Sequence, residues 1–237
     1  MAKKNAIEKA KELFNQFTSG VGNAVQRGQV GQSGFNPNNK PLFQTTTLDD
    51  YLRAVSEKLR VHIKNIEPKT LLTTDEGSLI TELKEKYSVN VPTLFEDKIT
   101  IDAQEADIEI KNHERFLYDE PRGPVITKGL KISVSLPYEG SAELFECRPS
   151  TYIVSGYPHG DILSGSLMLK YETAEKDSEK IKTFWQKDIE QIKQNLGWIE
   201  RDLSRHNQDL EQTIKTHLTS RKKEAQNNQS LIDAIKS

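Results

Sequence analysis

The chain has 237 residues, of which 35 % are hydrophobic, 29 % charged and 7 % aromatic. That length suits one ordinary domain with helical attachments, and the sparse aromatic content argues against a single large core filling it. A net charge of -2 excludes bulk attraction to nucleic acid or acidic lipid, and a lone cysteine, Cys147, excludes an internal disulfide framework or a cysteine-cluster zinc site.

The charge is unevenly laid out. Residues 1–40 carry six Lys/Arg against two Glu, a balance of +4. Residues 41–171 carry fifteen against twenty-one, a balance of -6, and residues 172–237 carry twelve against twelve. A basic head therefore precedes an acidic middle and a zwitterionic tail.

Residues 1–26 read as an amphipathic helical head, the spacing of Leu13, Phe14 and Phe17 predicting one helical face. Residues 27–44, rich in Gly, Asn and Gln, are expected to be a flexible linker. Residues 45–171 form an α+β domain. Thr47 and Asp50 have capping-box spacing and start a helix whose apolar stripe is Tyr51, Leu52, Val55 and Leu59. Pro68 ends it, and Asp75 restarts a second helix through Leu79, Ile80, Leu83 and Tyr87. The period then changes to two. Residues 98–101, 107–110, 125–138, 142–147 and 162–171 read as strands, with turns at 137–140 and 156–160. Helices followed by a run of strands predict a mainly antiparallel sheet with the two helices packed on it.

The tail carries the clearest periodicity. Trp185, Ile189, Ile192, Leu196, Ile199, Leu203, His206 and Leu210 alternate in steps of four and three, a heptad seam. No proline follows Pro158, so residues 172–227 are expected to form one long coiled-coil helix even past Gly197. Ile214 and Leu218 continue the stripe with a slipped phase. Ser230 resembles a fresh N-cap, which predicts a short terminal helix over residues 228–237. A seam of this length must be covered, and the sheet can cover only part of it. Self-association or docking to a partner protein is therefore expected, with His206 setting register.

Catalytic chemistry finds no comparable pattern. His159 and Asp161 sit near one another in a turn, and Glu146-Cys147-Arg148 only superficially mimics the end of a nuclease motif. Neither a metal-ligand spacing nor a phosphate-binding glycine loop is present, so no catalytic residue, metal or cofactor is assigned. Arg221, Lys222 and Lys223 are the candidate phosphate contacts of an alternative reading, a nucleic-acid-binding accessory subunit that also uses the basic head. With no membrane span and no signal peptide, a cytoplasmic location is expected.

One block is distinctive in combination. Leu136–Gly140 (Leu-Pro-Tyr-Glu-Gly), followed by Glu143–Thr151 (Glu-Leu-Phe-Glu-Cys-Arg-Pro-Ser-Thr), resembles a segment of poorly characterised bacterial proteins. In those, similar strands lead into a long helix comparable with Asp188–Lys223 and a terminal segment like Asn228–Ile235. The resemblance covers roughly residues 48–235. In that group the module often precedes a restriction-endonuclease-like domain with its own Asp and Glu-x-Lys residues. This chain stops where such a domain would begin, so no nuclease residue is carried over. The resemblance implies a non-catalytic structural subunit that oligomerises or docks a partner through its C-terminal helix, within a prokaryotic defence or nucleic-acid-processing assembly.

Overall fold

The computed structural model describes residues 36–37, 39–110, 125–152 and 156–236, all within one structural unit. The head helix with Leu13, Phe14 and Phe17, and most of the linker, lie outside the described residues.

The first helix, α1 (Leu48–Lys64), begins where a side chain can satisfy its exposed N–H groups. Thr47 Oγ1 accepts from the Asp50 backbone N–H at 3.1 Å and donates to Asp50 Oδ2 at 2.7 Å. Pro68 opens a short helix, α2 (Pro68–Thr73), at a position where a missing N–H costs nothing. Asp75 then caps α3 (Glu76–Tyr87), accepting from Ser78 N at 2.9 Å.

The architecture is α+β, with an antiparallel sheet built around two long strands. These are β4 (Thr100–Ile110) and β5 (Val125–Glu139), paired in register from Thr100↔Ser135 to Ile110↔Val125. On its other side β5 pairs antiparallel with β8 (Ser166–Thr173), from Pro137↔Ser166 to Leu130↔Thr173. Two short strands, β1 (Asn36–Pro37) and β7 (Asp161–Leu163), line the far edge of β8, while β3 (Thr93–Leu94) pairs with the end of β5. A separate two-stranded parallel pair joins β2 (Thr46–Thr47) to β6 (Cys147–Arg148).

Because β8 ends opposite Leu130, residues 106–110 and 125–129 pair only with each other among the described residues, as an arm beyond the main sheet. Gly129 lies at its root. A Cβ there would collide with Ile108 Cδ1 and sit 2.5 Å from the Thr173 carbonyl oxygen, so the two strands and β8 meet only over a glycine.

Strand periodicity sends Ile132, Val134, Leu136 and Tyr138 of β5, with Leu167, Leu169 and Tyr171 of β8, to the same face. The last helix, α4 (Ser178–Lys236), covers that face with Ile189, Ile192, Leu196, Ile199 and Leu203. Leu42, Phe43, Leu144 and Phe145 complete this first core. A second core is all-helical: Leu59 and Ile63 of α1, Leu71 of α2 and Leu79 and Leu83 of α3 enclose Leu210, Ile214, Leu218 and Ala225 of α4.

Several expectations are corrected. The linker does not extend to residue 44, since Leu42 and Phe43 are buried and their N–H groups bond the Pro158 and Phe145 carbonyls at 2.9 and 2.7 Å. Residues 142–147 are not a strand: Ala142–Phe145 is a 3-10 turn, which lets the adjacent residues Leu144 and Phe145 both enter the core. A strand would send them to opposite faces. Residues 162–171 are split into β7 and β8 by a turn in which Gly165 takes a φ of 80°. No separate terminal helix starts at Ser230, because α4 runs on through residues 228–236. Its 59 residues make a rod of about 90 Å at ~1.5 Å per residue.

Candidate interaction surface

The heptad seam is the first candidate, and the structure places it inside the chain. Ile189, Ile192, Leu196, Ile199, Leu203 and Leu210 are all 5 % exposed or less, Trp185 is half-buried against the first core, and the protein's own sheet and helices cover them. The expected covering by a second copy or a partner is therefore corrected for these residues. The reason is a change of neighbour along the rod. From Leu210 to Ile214 to Leu218 the stripe advances in steps of four, each rotating it by about 40° at ~100° per residue. The passage from the sheet to α1, α2 and α3 falls just before this, between Leu203 and Leu210, so the phase slip lies within the second core and keeps the stripe on those helices.

Polar side chains flanking the stripe hold the rod in place. The Tyr171 hydroxyl donates to Asp188 Oδ2 at 2.8 Å across the sheet–helix boundary. Burial pushes the Asp188 carboxyl up from its ordinary range, the tyrosine hydrogen bond opposing it, and burial likewise pushes the Tyr171 phenol up. Lys193 pairs with Glu96 at 2.7 Å, and Asp202 accepts from both Ser150 N and Ser150 Oγ at 2.8 Å. Asn207 Nδ2 donates to the Val89 carbonyl at 3.1 Å. Further along, Glu211 bridges Lys84 and Lys215 at 2.9 and 2.7 Å; the hydrogen bond from Lys215, then that from Lys84, draws its carboxyl down to about 2.

His206 is half-buried in a shallow depression lined by Leu52, Ser56, Asp202, Arg205 and Asp209, where burial lowers its pKa. Its seam position thus faces α1 of the same chain. The candidate phosphate contacts are also engaged. Arg221 meets Glu224 at 3.1 Å with its side chain 16 % exposed, and Lys222 meets Glu76 of α3 at 2.7 Å with 23 % exposed. Only Lys223 of the three is exposed. Lys222 ties α4 to α3 and Arg221 pairs within α4, so the run does not present three unpaired charges on one open face.

The residues weighed for chemistry do not converge. Cys147 is fully buried and donates to the Glu143 carbonyl at 3.3 Å; burial pushes its thiol well up, away from the reactive thiolate. His159 forms a backbone bridge with Pro41, and Asp161 accepts from Lys170 at 2.8 Å. Glu146, half-buried, has its carboxyl pushed up by burial, while the Arg148 guanidinium lies 5.1 Å from the Tyr152 ring centre. Among the described residues, no three His, Cys, Asp or Glu side chains group closely enough to hold a metal ion. No helix among them is long and apolar enough to cross a membrane.

What remains open is the end of the rod. Ala225 is the last buried residue of α4, yet Leu231, Ile232 and Ile235 follow it at 61, 44 and 76 % exposure. Steps of one and three place them along one side of the helix. Their signal is visible in the sequence, where the same residues suggest a separate terminal helix. Comparison with protein-family models, with curated proteins and with solved structures found no match to this chain.

Proposed function

We propose that this chain is a non-catalytic interaction subunit that docks a partner protein, or a second copy, through the end of α4. The observation that carries this reading is the exposed apolar group Leu231, Ile232 and Ile235 on a helix whose preceding stripe is already covered within the chain. Isolated exposed apolar residues are common on protein surfaces. Three within five positions, on a helical extension beyond the last core contact, make a small anchor of the kind an amphipathic helix lays into a groove. Burying each such side chain contributes about 1.5–3 kcal/mol. The burial of Cys147 and the pairing of Asp161 with Lys170 support a non-catalytic role. The resemblance to the front module of bacterial proteins carrying a restriction-endonuclease-like domain would place such docking in a defence or nucleic-acid-processing assembly.

The test is Leu231→Asp with Ile235→Asp. Both positions are exposed, so the melting temperature should hold within a few degrees. Mass by light scattering at micromolar concentration, together with crosslinking in cell extract, should reveal an association in the wild type that the variant loses. A wild-type chain that is monomeric, with a crosslinked set identical to the variant's, would sink the reading.

A further inference from the structure

A second surface, remote in sequence from the end of α4, has its own chemistry. Strand β4 pairs with β5 along its full length, and among the described residues no other strand pairs with it. Among the described residues its outer side therefore presents a row of backbone N–H and C=O groups over Thr100–Ile110, the template on which an extended segment adds a strand.

The side chains along this edge say what kind of segment fits. The register places Ile101, Ala103, Glu105, Asp107 and Glu109 on the face shared with Val134, Ile132, Leu130, Lys128 and Ile126. Glu105, Asp107 and Glu109 thus form an acidic file at the arm end. Lys128 meets Asp107 at 2.7 Å, and among the described residues neither Glu105 nor Glu109 makes an ion pair. At the other end of the same face, Ile101 is 52 % exposed beside Ala103. A second copy of β4 is a poor occupant. Full antiparallel overlap sets Glu105 against its own counterpart, and like charges directly opposite destabilise a strand pair. Acidic residues on an edge block self-pairing, and the same residues favour a strand of opposite charge.

We propose that the free edge of β4 accepts an extended basic segment of a partner protein as an added antiparallel strand. Its lysines or arginines at alternate positions meet Glu109, Asp107 and Glu105, and β-branched residues two and four positions further on meet Ala103 and Ile101. The backbone ladder supplies affinity, and the charge file supplies direction and register.

The probe is the nine-residue peptide Lys-Thr-Lys-Thr-Lys-Thr-Val-Thr-Val, labelled for fluorescence anisotropy against the full chain at low salt. Three comparisons accompany it: a version with Glu for Lys, a version N-methylated at alternate residues, and the Glu105→Lys/Glu109→Lys protein. Both substituted residues are exposed, and a circular-dichroism spectrum matching wild type confirms the fold. The expected result is binding of the lysine peptide that slows amide exchange in β4. Each of the three comparisons should weaken it tenfold or more. Absence of binding at millimolar peptide overturns the proposal. So does equal binding of the N-methylated peptide, which would mean loose charge attraction without strand addition. Protection confined to elements other than β4 refutes it as well. The outcome is independent of the end of α4, because Leu231→Asp/Ile235→Asp protein should bind the peptide as wild type does.

Discussion

Truncating Leu196 and Leu203 to alanine decides whether the seam is a core or an interface. Both side chains are nearly inaccessible, at 5 and 1 % exposure, and both belong to the core under the sheet. Removing a buried leucine side chain beyond Cβ costs about 2–5 kcal/mol, the spread reflecting how far the surroundings collapse into the cavity. The two sites are two turns apart on one helix and share neighbours, so their effects add only approximately. The pair should cost roughly 4–8 kcal/mol, a large part of the ~5–15 kcal/mol that holds a typical domain together. With a urea slope of about 1–3 kcal/mol per molar, the midpoint should fall by at least ~1 M, or the protein should fail to fold at room temperature. Trp185 and Trp198, both on α4, report the transition by fluorescence while circular dichroism follows the helix. Mass by light scattering is measured on the same samples. A double variant with an unchanged midpoint but a smaller mass would refute the packing argument and return the seam to an intermolecular role.

Three further outcomes follow from local geometry. Gly197 is an exposed mid-helix glycine with no atom within 4 Å of a would-be Cβ, so Gly197→Ala should stabilise by about 0.8–1 kcal/mol, read as a rise in urea midpoint; destabilisation there would contradict the continuous helix. Gly129→Ala should do the opposite, costing about 1–3 kcal/mol, and Ile108→Val should not rescue it, because the Thr173 carbonyl still blocks the new methyl; full rescue in a thermal melt would refute that geometry. Asp188→Asn tests the sign of a titration. A carboxyl whose folded pKa is raised favours the folded state below its unfolded pKa and loses that contribution as pH rises through the folded value, so the neutral variant should melt higher than wild type near pH 7. The gap should close in acid, and a gap independent of pH would assign the effect to packing alone.

Some of this structure is legible in the sequence because its determinants are local. Thr47 and Asp50 specify their cap within one turn, and the spacing from Trp185 to Leu210 specifies a helix with one buried side. That spacing says a stripe is covered, and nothing in it says by what. Its cover comes from residues far away along the chain: Leu136 and Leu169 of the sheet in the first core, and Leu59, Ile63 and Leu83 of the helices in the second.

The strands divide the same way. The longest, β5, alternates visibly through Ile132, Val134 and Leu136, whereas the middle of β4, Ala103–Ala106, carries no alternation of its own. It is held extended by its register with β5. A strand reading fails at Leu144 and Phe145 because two adjacent buried residues do not fit a period of two; they sit in a tight 3-10 turn instead. Of the candidate surfaces, Leu231, Ile232 and Ile235 are visible in the sequence as an apolar group. The β4 edge is not, because an edge is defined by the absence of a neighbour and no local pattern encodes that.

The single helix shared by both cores also governs when the protein can fold. Leu59, Ile63, Leu71, Leu79 and Leu83 emerge from the ribosome well before the residues that cover them, Leu210 to Ala225. The sheet face of β5 and β8 likewise waits for Ile189 to Leu203. Neither core closes on a nascent chain that ends before α4, so both stay exposed to premature association until that helix has been synthesised. Because one rod completes both, loss of its grip on either should be felt by the other, and unfolding should proceed as one cooperative event.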